Sequence, residues 1–281
     1  MRFALHSPNF GSYSDPVLLA ELAHDAEEAG WDGYFLWDHF FWGSPRNQPV
    51  ADPWVALAAM SVATKNIRLG TLITPLPRRR PWTVARQAAT LDHLSLGRAV
   101  LGVGIGGDWF GDYTAFGEVP DDKIHGQMLD EALAVICGLW KGEPFSFSGH
   151  HYEVKDAHFL PRAVQEPRIP VWVAGNWPNK KPFRRAAEWD AIVPEGRSDY
   201  GDLQPDDYVD ILSFISQYRR SKAPFDVVHG GETPRDNPAE AASIVASYAD
   251  AGVTWWLERI TDQRGSLLEM RERICIGPPR Y

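Results

Sequence analysis

Strand-like and helix-like segments alternate along almost the whole of this chain, and that alternation narrows the available folds more than any other feature. Phe3–His6 is a short apolar strand. Asp15-Pro16 then offers an N-cap and a proline at the first helical position, where a missing N–H costs nothing. Leu18, Leu19, Leu22, Ala23 and Ala26 make one helical face, which Gly30 terminates. Gly33–Trp37 is apolar throughout, as a strand buried on both sides should be. The unit recurs with a helix from Asp52-Pro53, a strand at Ile67–Ile73, a helix at Pro81–Leu94 and a strand at Arg98–Val103. Met128, Ala132, Val135, Ile136 and Leu139 mark a long fourth helix. Val171–Ala174, Ala191–Pro194, Asp226–His229 and Val253–Leu257 read as four more strands. Between and after them the pattern predicts helices at Phe183–Trp189, Asp206–Tyr218, Asn237–Ala251 and near Arg264–Arg273.

Strictly alternating βα units imply a parallel sheet with right-handed crossovers. Eight such units in 281 residues favour a closed (β/α)8 TIM barrel over a doubly wound sheet. Gly142–Pro170 breaks the pattern. It alternates in Phe145-Ser-Phe-Ser and His151-Tyr-Glu-Val154, so a hairpin inserted before strand five is expected there. With no linker or low-complexity tract, residues 1–281 read as a single barrel domain.

The net charge of −9 and pI near 5.5 argue against nucleic acid or an anionic membrane as the main partner. Cys137 and Cys275 are lone thiols without metal or disulfide spacing, and Cys137 is expected to pack in the fourth helix. No apolar run reaches the length of a membrane span, and Met-Arg-Phe-Ala-Leu-His enters a strand directly, so a cytoplasmic location is the expectation. The 12 tryptophans are unusual; most belong in a core, and those at strand ends would wall a flat ligand.

In such a barrel the residues just after each strand share one mouth. Here they include His6 and Asn9, Asp38 and His39, Thr71 and Thr74, Gly104–Asp108, Gly175 and Asn176, Glu195, His229 and Glu258. Trp37-Asp38-His39-Phe40 stands out, because an imidazole beside a carboxylate is suited to proton transfer near neutral pH; alternatively His39 only ties down a loop. Gly102–Gly107 and Ala174-Gly175-Asn176 could present backbone N–H groups to a phosphate, or be plain turns. The first is not followed at once by a helix, which fits a Rossmann fingerprint poorly. Arg78-Arg79-Arg80 reads as a solvated loop or as a grip for an anionic tail. His150-His151 is expected on an exposed hairpin.

Several fragments, in order, resemble the bacterial luciferase-like superfamily of flavin-dependent oxidoreductases. They are Ala26-Glu-Glu-Ala-Gly-Trp-Asp-Gly33, Trp37-Asp-His39, Asn66-Ile-Arg-Leu-Gly-Thr71 and Ala89-Thr-Leu-Asp-His-Leu-Ser-Leu-Gly-Arg98, then Leu101-Gly-Val-Gly104, Leu139-Trp-Lys-Gly142, Gln165-Glu-Pro-Arg-Ile-Pro170 and Val171-Trp-Val-Ala-Gly175. The resemblance covers about residues 1–195 and implies FMN or the deazaflavin F420 bound across the mouth. It implies a non-proline cis peptide at Thr71-Leu72 behind the ring, with Thr74 hydrogen-bonded to the ring and Asp38 touching the cofactor. It also implies His39 as the proton-transfer residue, and Gly104, Gly106, Gly107, Ala174, Gly175 and Asn176 as the phosphate and ribityl loops. The arginines then rank as loop or substrate-entrance residues.

The expected function is oxidoreduction of a small organic substrate. With reduced FMN it would be monooxygenation fed by a separate flavin reductase; with F420 it would be hydride transfer. Family habit suggests a homo-oligomer. Two other classes stay open: a non-catalytic flavin-binding barrel, and a metal-dependent hydrolase or isomerase using His6, Asp38, His39, His229 and Glu258.

Overall fold

The computed structural model describes residues 1–43, 47–199 and 201–280. Eight parallel strands close into a barrel: β1 (Arg2–Ser7), β2 (Gly33–Leu36), β3 (Arg68–Pro75), β4 (Ala99–Gly104), β7 (Val171–Trp177), β8 (Ala191–Gly196), β9 (Asp226–Gly231) and β10 (Trp255–Arg259). Between β4 and β7 an antiparallel hairpin, β5 (Pro144–Ser148) and β6 (Glu153–His158), fills the expected insertion. Its turn is tied to the barrel by Glu131, whose carboxylate accepts the N–H groups of His150, His151 and Tyr152.

The outer layer is α1 (Pro16–Glu28), α2 (Pro53–Ala63), α3 (Pro81–Leu94), α4 (Asp122–Trp140), α5 (Lys180–Ala186), α6 (Pro205–Ser216), α7 (Pro238–Asp250) and α8 (Leu267–Ile276). The Asp15 and Asp52 side chains cap α1 and α2 ahead of Pro16 and Pro53, as their spacing predicts. Two helices begin elsewhere than predicted. α5 starts at Lys180 because Pro182 falls in its first turn, where no N–H is needed. α8 starts at Leu267 because Ser266 and Glu269 form a reciprocal capping box. No helix among the described residues is long and apolar enough to cross a membrane.

Strand alternation divides the apolar residues between two cores. Outward-facing side chains such as Leu5, Leu101, Val173 and Ile192 pack against the helices. Inward-facing Ala4, Phe35, Leu72, Val100, Trp172, Val193, Val228, Trp255 and Leu257 fill the barrel. Phe35 and Trp255 both lie close to Trp172, with ring centroids 5.1 and 5.2 Å away, so the interior is a packed plug. A ligand therefore has to sit above this layer, at the carboxyl ends of the strands.

Candidate active site at the barrel mouth

The next inward-facing position on each strand forms the ring above the plug. On β1 it is His6, on β4 Gly104, on β7 Ala174 then Asn176, on β8 Glu195, on β9 Gly230 and on β10 Arg259. Trp37 occupies the corresponding place just after β2, with its ring 5.7 Å from that of His6. Not every position expected in the mouth is there: Gly175, between Ala174 and Asn176, turns to Pro182 of α5, and two strand-end side chains also point away. His229 and Glu258 follow Val228 and Leu257 by one residue, so alternation turns them toward the helices. His229 stacks on Tyr248 at 4.0 Å and its Nδ1 is 2.6 Å from the Tyr208 hydroxyl. Glu258 is fully buried, 2.6 Å from Arg264, and accepts from Thr233 and Trp256 Nε1. The five residues of the metal-site reading thus do not converge.

β3 carries the main irregularity. Thr71 keeps its regular partner Leu101, but the register shifts before Thr74, which pairs with Val103. The non-proline cis bond lies within that shift, at Leu72-Ile73. This corrects the expected Thr71-Leu72 by one bond, because the regular ladder extends through Thr71. The side chains of Leu72 and Ile73 lean over Gly102 and Gly104 of β4, where a Cβ would come within 2.4 and 2.7 Å of them.

Beneath this step lies a buried polar network. Thr74 Oγ1 donates to Asp38 Oδ2 at 2.7 Å and lies 2.8 Å from Thr71 Oγ1. Asp38 Oδ1 accepts from Arg79 Nη2 at 2.6 Å, and Arg78 Nη2 donates to the Asp38 carbonyl. Arg78 Nη1 reaches Asp112 Oδ1 at 2.7 Å. Asp38, Thr71 and Thr74 were expected at the cofactor; in this structure their polar side-chain atoms are taken up by one another and by the two arginines. Arg78 and Arg79 are accordingly structural cations holding two carboxylates, while Arg80 is exposed.

His39 sits on the rim. Its backbone is clamped on both sides by Asn9, which donates to its carbonyl at 2.5 Å and accepts its N–H at 3.2 Å. Phe10 and Trp42 meet the ring edge-on at 5.6 and 5.2 Å. Nδ1 is buried and faces Asp112 Oδ2 at 3.6 Å, whereas Nε2 is not buried and has no hydrogen-bond partner among the described residues. The neighbouring carboxylate in sequence, Asp38, is not the one facing the imidazole.

The glycine loops lie beside one another. β4 and β7 are adjacent, with Val103 opposite Val173, and this places Gly104 next to Ala174. Gly106 has φ +70°, a conformation that favours glycine, and the Tyr113 hydroxyl donates to the carbonyl of the preceding residue, Ile105, at 2.6 Å. Among the described residues no protein acceptor takes the N–H of Gly106 or Gly107. Gly175 is required by packing, since a Cβ there would lie 2.4 Å from Pro182. Asn176 is exposed at the end of β7.

Opposite this arc, His6 Nε2 donates to Leu72 O at 2.8 Å. Burial lowers the His6 pKa from 6.5 to about 4, against the raising effect of that hydrogen bond and with help from Arg259. Burial, then Arg259, lowers that of His229 to about 3. Both folded values lie below the unfolded one, so between them the unfolded chain binds more protons and stability rises with pH. We expect this stability to be present above pH 6.5 and to be lost progressively as the pH falls from 6.5 toward about 4, each histidine contributing at most ~1.4 kcal/mol per pH unit. Urea melts of the wild type and a His6→Gln/His229→Gln variant test this; an unchanged slope in the variant contradicts it. Arg259 itself is half-buried over Gly230 and has no side-chain partner among the described residues.

The chain belongs to the luciferase-like monooxygenase family, whose profile matches residues 2–193. An F420-dependent glucose-6-phosphate dehydrogenase of Microbacterium testaceum is 36% identical over 166 residues, covering 58% of this chain and 48% of that protein. The chain spans about half the length of the curated relatives it matches. Among solved structures, an F420-dependent secondary alcohol dehydrogenase in complex with an F420-acetone adduct superposes with TM-score 0.81 at 18% identity, over 98% of this chain and 96% of that one. A monooxygenase from Streptomyces bottropensis gives 0.72 at 18% identity, over 98% and 97%. At that identity the likeness is one of fold.

Proposed function

We propose that this protein is an F420-dependent oxidoreductase that interconverts a hydroxyl and a carbonyl group on a small polar substrate. The observation that carries the reading is His39: a rim imidazole with Nε2 open and Nδ1 turned to a buried carboxylate. The deazaflavin, when bound, supplies a hydride acceptor or donor. The arc from β2 through β3 and β4 to β7 fits such a flat, anionic group. Leu72 and Ile73 offer an apolar back wall, Gly104 and Ala174 a surface free of large side chains, and the N–H groups of Gly106 and Gly107 a place for a phosphate, with Asn176 beside them.

In the oxidation direction, His39 Nε2 takes the hydroxyl proton as the carbon gives up its hydride, and the C=O bond forms from the O–H pair. Asp38, Thr74, Arg78 and Arg79 hold the wall that would support the group and make no chemical step. Trp37, Phe10 and Trp42 exclude water around the imidazole. Arg259 and Glu195 lie on strands outside that arc and would suit a hydroxyl-bearing substrate with an anionic group, in line with the dehydrogenase relatives. Reduced FMN supplied by a separate reductase is the second reading, favoured by the monooxygenases of the same fold.

Titration of the purified protein with F420 and with FMN, followed by fluorescence, separates them. The expected result is F420 binding at least tenfold tighter than FMN, a difference of about 1.4 kcal/mol. Tighter FMN binding supports the second reading. Binding of neither below about 1 mM, or ~4 kcal/mol, overturns both.

A further inference from the structure

Asp112 lies in the loop after β4, far from His39 in sequence, and its carboxylate is almost completely buried. Oδ1 accepts from Arg78 Nη1 at 2.7 Å. Among the described residues Oδ2 has no hydrogen-bond partner, nor does the buried Nδ1 of His39 that faces it at 3.6 Å. Two buried polar atoms left unpaired are costly, and a small approach of the ring to the carboxylate satisfies both. The ring has little other choice, because Asn9 fixes its backbone and Phe10, Trp42 and Phe110 surround it.

We propose that Asp112 is a positioning residue for proton transfer at His39, holding the imidazole proton on Nδ1 and leaving the Nε2 lone pair for the ligand in the mouth. This rests on the reading of His39 as the proton-transfer group. An ionised carboxylate can only accept, so a neutral imidazole against it must carry its proton on the facing nitrogen. When Nε2 takes a substrate proton, the resulting imidazolium has a carboxylate behind it. Among the described residues the charged groups around the pair are Asp112 from the β4 loop and Arg78, which binds Asp112 and both the backbone and the carboxylate of Asp38. Asn9 and the three aromatic rings are uncharged. Arg78 therefore anchors the carboxylate through Oδ1 and leaves Oδ2 free to orient the ring.

Asp112→Asn tests the proposal with little change in shape. Arg78 keeps the side-chain oxygen as its acceptor, so the new amide turns its NH2 to His39 and donates to Nδ1. Nitrogen-15 NMR of His39 at neutral pH, without cofactor, should show the Nδ1–H tautomer in the wild type and the Nε2–H tautomer in D112N, with Asp112→Glu restoring the first. In the F420-loaded enzyme with an alcohol substrate, D112N should lower kcat by roughly 100-fold or more with cofactor affinity within about twofold of wild type. A wild-type Nε2–H tautomer, or one that D112N does not move, overturns the proposal; the wild-type spectrum decides even if the variant fails to fold. A tautomer that flips in a protein that binds neither F420 nor FMN upholds the Asp112–His39 couple and removes the functional reading. F420 turnover with an insensitive tautomer does the reverse.

Discussion

Replacing Arg78 with Met should cost the fold about 3–5 kcal/mol, the usual penalty for removing one partner of a buried ion pair. Its side chain is 5% exposed and serves two carboxylate residues at once, Asp112 through Nη1 and Asp38 through Nη2. It also lies over the Phe40 ring at 4.5 Å. Arg79 remains to hold Asp38 in the variant, but Asp112 loses the donor on its Oδ1 while staying buried. Urea melts at neutral pH measure the loss. Arg78→Met/Asp112→Leu should recover much of it, because removing both charges leaves no uncompensated carboxylate. A loss under about 1 kcal/mol in the single variant would mean that the network contributes as little as a surface pair.

His39→Asn should lower kcat by ~100- to 10,000-fold in the F420-loaded enzyme, the range associated with one general acid–base group. Cofactor affinity should change little, because the flat group is assigned to the wall of Leu72, Ile73 and the glycine loops. Stability should fall by about 1–3 kcal/mol, since Asp112 keeps Arg78 on Oδ1 but its buried Oδ2 loses the imidazole nitrogen it faces. Single-turnover measurements of the hydride step, set against equilibrium titration of the cofactor, separate these effects. A variant within about fivefold of wild type in the hydride step would leave His39 as a loop residue.

The barrel was legible because its signals are local and repeated. Most strands are apolar runs that follow a glycine or proline, as β4 follows Gly97, β7 Pro170 and β10 Gly252, and the Asp-Pro pairs before α1 and α2 act within a few residues. His39 was legible for the same reason, as a polar residue just past an apolar strand. The network beneath the mouth was not. Asp112 carries no pattern of its own, and the charge that pairs with it arrives from the loop after β3. The arginine triplet looked solvent-facing, since nothing local reveals that a carboxylate from the end of β2 folds over it. Placing the cis bond one step early has a similar origin. The register between β3 and β4 is set by cross-strand pairing, which the sequence of β3 alone does not specify. Likewise His229 and Glu258 are strand-end residues by position but face the helices, because one residue of alternation exchanges mouth for outer layer.

The central claim is that the β2–β3–β4–β7 arc of the mouth holds a deazaflavin. Backbone hydrogen exchange with and without saturating F420 tests it most directly. The account predicts slowed exchange at residues 104–113 and 174–179, where the glycine loops lie, and little change at 233–236 and 264–269 beside α7 and α8. Protection confined to that second pair of segments, or absent from the glycine loops at saturation, would contradict it.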